Sequence, residues 1–147
     1  MSLAEPIQEQ GRSGVIRTKR WLESTTWIEL PFNAYHNQSL CRLTRLDGET
    51  KLYDLFGYIF GTPPVPVYVE AKNYTSAGGK QPAEFQQFLA NAYSITARDL
   101  ADDGDGMRQF MWVTTHPFSM TDWNDQLTPG QIQKSLDKHP NVLAGKH

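Results

Sequence analysis

One cysteine, Cys41, stands in a chain of 147 residues. That excludes an internal disulfide and makes a reducing, cytoplasmic compartment the expectation. No apolar run approaches the roughly 20 residues of a membrane-spanning helix, so no membrane partner is expected. The opening stretch, MSLAEPIQEQ, is polar and carries no signal-peptide pattern. Internal repeats and low-complexity tracts are absent. With 39% hydrophobic and 20% charged residues, the composition fits an ordinary globular protein. The length suits a single domain, residues 1–147, with a real core.

A strong charge of either sign is missing as well. The net charge of -2 argues against a general polyanion binder. The charge is uneven, however: residues 1–45 hold six Lys and Arg against four acids, and the remainder eight against twelve. A basic first helix can meet a phosphate backbone. A cluster this small is more often a solvated helix face. Two familiar loops are lacking. Gly78-Gly79-Lys80 has neither the first glycine nor the spacing of a P-loop. Asp99, Asp102, Asp103 and Asp105 do not match a calcium loop.

Helical spacing of Val15, Ile16, Lys19 and Leu22 predicts a helix over 7–23. TWIELPF, 26–32, reads as a short extended segment. SLCRLTRL reads as the first strand of a meander, with Asp47-Gly48 as a hairpin turn. TKLYDLFGYIF is the second strand, ended by Gly61-Thr62-Pro63-Pro64. VPVYVEAKNY is the third. QPAEFQQFLANAYSITARDL predicts a helix with Pro82 in its first turn and Phe85, Phe88, Leu89, Ala92, Ile95 and Leu100 at helical spacing. RQFMWVTTH is the fourth strand, parallel to the third through a right-handed crossover. Thr128 and Pro129 open a last helix, PGQIQKSLDK. The expected fold is α/β, a mixed central sheet with helices on its faces.

Chemistry concentrates in VYVEAKNY, 67–74. Alternation places Glu70 and Lys72 on one face with Tyr68 and Tyr74, and Val67, Val69 and Ala71 on the other, where they can pack on a helix. A second Glu-x-Lys, Glu49-Thr50-Lys51, lies beside a polar turn, where a solvated pair is worth little. Asp54 sits inside the preceding apolar strand, an unusual place for a carboxylate. If the two strands pair about Thr62, Asp54 falls opposite Glu70, and opposing Cβ atoms are about 5 Å apart. Two such acids need a proton or cation between them. Mg²⁺, with Mn²⁺ as substitute, suits these oxygen donors, and Lys72 can orient a water or offset charge on a phosphate. A structural Asp–Lys–Glu ion cluster explains the same spacing equally well.

Asp54, then Glu70-Ala71-Lys72 after fifteen residues, set on helix-strand-strand-strand-helix-strand, resembles the PD-(D/E)XK nuclease superfamily of restriction-endonuclease-like folds. The resemblance covers roughly 7–116 and leaves 117–147 as a C-terminal helical extension. It implies an αβββαβ core, Asp54 and Glu70 as metal ligands, and Lys72 at the attacking water. Tyr53 replaces the name-giving proline. Gln86, or Gln87, matches the glutamine many members carry on the following helix, and Glu9 an acid on the first helix. The implied activity is Mg²⁺-dependent endonucleolytic hydrolysis of phosphodiesters, DNA ahead of RNA. Target choice then falls to loops, a homo-oligomer or a partner protein. The alternatives are a binding or assembly subunit of a nucleic-acid-processing complex, and an RNase using the same carboxylates. His116, after the fourth strand, reads as a turn residue with a secondary chance at phosphate. Tyr35, Trp27 and Trp123 can stack on bases, although such aromatics are more often core.

Overall fold

The computed structural model describes residues 4–72, 81–114 and 129–143, without the side chains of 4–10. His116, Trp123, Tyr74, Thr128 and the Gly78-Gly79-Lys80 stretch lie outside the described residues, as does the side chain of Glu9. The chain forms a mixed α/β protein. Its elements are α1 (Ala4–Thr25), β1 (Ile28–Asn33), β2 (Arg42–Thr44), β3 (Thr50–Leu52), β4 (Leu55–Ile59), β5 (Val65–Lys72), α2 (Gln81–Ala101), β6 (Gln109–Thr114), α3 (Pro129–Lys138) and a 3-10 turn, Pro140–Leu143. Among the described residues, no helix is long and apolar enough to cross a membrane. Two compact units interleave along the chain. The first takes Met1–Arg42, Leu52–Thr75 and Met107–Thr115, and the second Leu43–Lys51, Ser76–Gly106 and His116–His147.

The first unit is built on a four-stranded sheet of order β1-β4-β5-β6. The β1/β4 and β4/β5 pairs are antiparallel and β5/β6 is parallel. One face of the sheet receives α1. Val15 and Leu22, two helical turns apart, pack with Ile28, Leu30, Leu55, Val67 and Val69. Burying an aliphatic side chain of this kind contributes about 1.5–3 kcal/mol. Ile16, from the same helical run, is exposed. On the other face Phe32, Phe56, Tyr68 and Phe110, one from each strand, form a row with successive ring centroids 5.5, 4.5 and 6.2 Å apart.

A bulge in β1 makes this division of faces consistent. Leu30 and Phe32 have the same parity, so a regular strand would point both to one side. The register against β4 shifts between Glu29 and Phe32, which turns Leu30 toward α1 and Phe32 toward the aromatic row. Pro31 lies within the shift, where its missing N–H costs no ladder bond. Across from it stands Gly57. A Cβ there would lie 1.8 Å from the Glu29 carbonyl oxygen and 2.7 Å from Leu30 Cα, so only glycine fits.

The C-terminus of α1 is tied to β1 by side chains. Thr26 Oγ1 donates to the Leu22 carbonyl at 2.5 Å and accepts from the Ile28 amide at 3.2 Å. Glu23 accepts from the Leu30 amide and from Lys19, each at 2.8 Å. Burial pushes the Glu23 carboxyl up, but the Lys19 hydrogen bond and charge and the Leu30 amide outweigh it and hold it below the usual range.

The meander differs from the sequence expectation at its first strand. The Asp47-Gly48 hairpin does form, with Gly48 at φ 86°. Its strands, β2 and β3, make a separate two-stranded sheet. The main sheet begins instead with β1, from the segment read only as extended. The run TKLYDLFGYIF breaks at Tyr53-Asp54 because its backbone changes partners there. The Tyr53 amide donates to the Cys41 carbonyl at 2.9 Å, and the Asp54 carbonyl accepts from the Ala34 amide at 3.0 Å.

In the second unit Ala90 of α2 packs with Leu136, Val142 and Leu143, joined by Leu46 and Ile132. Buried Ser94 donates to the Val142 carbonyl at 2.6 Å and accepts from the Leu46 amide at 2.9 Å. Arg45 forks onto Asp47 at 3.0 and 2.5 Å and reaches Asn91 Oδ1 at 3.0 Å. The Arg45 hydrogen bonds and charge hold the Asp47 carboxyl below its ordinary range. On α2, Phe85, Phe88, Leu89 and Ile95 are buried while Leu100 is exposed.

Candidate active site on the β4–β5 pair

The β4/β5 ladder pairs Leu55 with Val69, Phe56 with Tyr68 and Gly57 with Val67. This is the register centred on Thr62, and extended by one residue it sets Asp54 opposite Glu70. Asp54 immediately precedes β4. Its Oδ2 accepts from the Ala71 amide at 2.8 Å, a carboxylate taking the place of the next ladder carbonyl. Three backbone bonds therefore fix this corner: one to Tyr53, one to the Asp54 carbonyl and one to the Asp54 carboxylate. Tyr53, the residue before Asp54, is fully buried, its ring 5.6 Å from those of Tyr68 and Phe110.

Glu70 is 6% exposed, a depth at which carboxylates are rare unless compensated. Its neighbour on β6 is Trp112, and Lys72 pairs with Thr114. The Lys72 ammonium lies 5.6 Å from the centroid of the Trp112 ring, within cation–π range. The structure thus brings Asp54, Glu70 and Lys72 to one end of the β4–β5 pair. Gln86 lies half-buried on α2 and belongs to the second unit. Gln87 donates to Asn91 Oδ1 at 3.1 Å within the same helix, so its amide joins the anchor that holds Arg45.

Three neighbours of the site went unread in the sequence. The Ala71 amide is backbone, which no side-chain pattern reports. Trp112 follows from parallel register, which has no turn to fix it. Cys41 is the third. Burial first, and then the charge of Asp54, push its thiol up to about 11. The unfolded thiol ionises near 9, so this contribution to stability is whole below that pH and is lost as pH rises from 9 toward 11. Cys41 is expected to resist a thiol-disulfide reagent at pH 8 until the protein unfolds, and Asp54→Asn is expected to lower its pKa. Rapid modification of the native protein would contradict this placement.

The remaining candidates fall elsewhere. Glu49 is exposed beside the Gly48 turn. Trp27 is 79% exposed and Tyr35 40% exposed, so neither is core, and Tyr35 carries the Arg12 guanidinium 4.8 Å from its ring centroid. Among the described residues no three His, Cys, Asp or Glu side chains converge as a metal-binding group. The acids brought together are two, both hard oxygen donors, the set that suits Mg²⁺ retaining most of its water. Comparison with family models, characterised proteins and solved structures finds no match for this chain.

Proposed function

We propose that this protein is a metal-dependent phosphodiester hydrolase of the restriction-endonuclease-like class, acting on DNA ahead of RNA. The observation that supports the reading is the β4/β5 register, whose last pair is Leu55 with Val69; continued by one residue, it would put Asp54 opposite the buried Glu70, with Lys72 one step further on the Glu70 face. The sheet supports it. With the β2–β3 hairpin taken as an insertion, the element order becomes helix, strand, strand, strand, helix, strand. Asp54 and Glu70 would hold Mg²⁺ or Mn²⁺, which when bound supplies a Lewis acid for a phosphate oxygen and a water of lowered pKa. The Ala71 amide keeps the Asp54 carboxylate aimed along β5. Lys72, steadied on Trp112, offsets charge that develops on the phosphate.

The test is cleavage of labelled single- and double-stranded DNA and RNA under Mg²⁺ and Mn²⁺, run beside thermal melts. An ion that binds only the folded state adds about 2.7 kcal/mol at a hundredfold excess over Kd. The parent is expected to gain stability on that scale. Asp54→Asn keeps a carbonyl oxygen for the Ala71 amide, so it should fold yet gain much less. Glu49→Ala and Lys51→Ala should match the parent in cleavage and metal response. A parent that neither cleaves nor responds to either ion sinks the proposal and leaves a structural ion cluster.

A further inference from the structure

The first unit contains a cavity of about 330 Å³ between α1 and the ends of β5 and β6. Its helical wall is one stripe, Gly14, Arg17 and Trp21, spaced i, i+3 and i+7, and its sheet wall includes Ala71, Lys72 and Val113. Gly14 contributes no side chain to that wall. Ala71 and Val113 belong to the apolar face of the sheet. The volume lies in the range of small-ligand sites. Trp21 stands at the rim 57% exposed.

Charge selects the occupant. Of the cations on α1, Lys19 pairs with Glu23 and Arg12 lies over Tyr35. Arg17 and Arg20 are exposed and make no ion pair among the described residues. An apolar cavity with an indole and an exposed guanidinium at its rim fits a flat heteroaromatic ring carrying an anion. The cavity is linked to Asp54 through Ala71, which lines it and donates its amide to the Asp54 carboxylate.

We propose that this cavity binds one base of a single-stranded nucleic acid, with Trp21 stacked on the base and Arg17 on its phosphate. The proposal rests on the hydrolase reading and names the substrate class, a single strand or frayed end. A base enclosed between helix and sheet must leave its stack and its pairing partner. That costs a duplex a few kcal/mol and a single strand far less.

The test uses the whole protein in EDTA, where cleavage cannot contribute. Fluorescence anisotropy is read with a labelled thymidine decamer and with a blunt hairpin duplex. The parent should bind the decamer more tightly. Trp21→Ala should weaken decamer binding by about 5- to 150-fold, the span of one base–aromatic stack, and Trp21→Phe should restore most of it. Arg17→Ala should weaken it and flatten its salt dependence. Phe60→Ala, at an exposed aromatic outside the cavity lining, should change nothing. A parent that prefers the duplex, or a Trp21→Ala protein that binds like the parent, overturns the proposal. Cleavage with an indifferent Trp21 removes the base site alone. Trp21-dependent binding without cleavage removes the hydrolase alone.

Discussion

Lys72→Ala is expected to lower phosphodiester cleavage by about 10²-fold or more, because a charge that acts mainly in the transition state is lost. The fold should survive. Lys72 is half-buried at the end of β5, and the contacts it gives up include the one with Trp112, an interaction of roughly 0.5–2 kcal/mol. Single-turnover cleavage beside a thermal melt separates the two effects. The fall should appear in kcat with KM little changed, since ground-state binding is not what the ammonium supplies. Cleavage within a few-fold of the parent would remove Lys72 from the reaction.

Gly57→Ala should be the most damaging small substitution in the first unit. The added methyl would meet the Glu29 carbonyl and Leu30 Cα, both backbone, and backbone cannot rotate aside as a side chain can. Overpacking of this kind costs about 1–3 kcal/mol, and more where nothing yields. At the upper end, Tm falls by roughly 6–12 °C in a chain of this size. The damage should also reach the site. Pushing β1 away loosens β4, which begins one residue after Asp54, so the metal-induced rise in Tm should shrink as well. Gly61→Ala is the control, since its nearest neighbour would be the Pro63 oxygen at 3.4 Å. A Gly57→Ala protein as stable as the parent would mean that β1 and β4 do not approach so closely.

What could be read from the sequence was what symmetry or alternation fixes. The β4/β5 register follows from one turn centre, so Asp54 could be set opposite Glu70 from numbering alone. The division of β5 into Val67, Val69, Ala71 and Tyr68, Glu70, Lys72 follows from the two-residue period. The first strand was misassigned because SLCRLTRL has the apolar spacing and the Asp-Gly turn of a strand, whereas IELPFN contains a proline. Only the bulge explains how Pro31 fits, and a bulge is a tertiary accommodation between Glu29 and Gly57 that leaves no local pattern. The cavity was unreadable for a related reason: its walls come from segments far apart in the chain, 14–21, 71–72 and 113–114, and meet only through tertiary packing.

The parallel pairing of β5 with β6 sets when the site can exist. As the chain emerges from a ribosome, Asp54, Glu70 and Lys72 are made before all of α2, and Trp112 only after it. Until Gln109–Thr114 arrives, one edge of β5 has no strand beside it. Non-local pairings of this sort form slowly, and a bare apolar edge invites other chains. A nascent chain that stops within α2 therefore carries both acids and the lysine without the tryptophan on which the lysine rests. A messenger truncated there would yield an adhesive fragment in place of a merely destabilised protein.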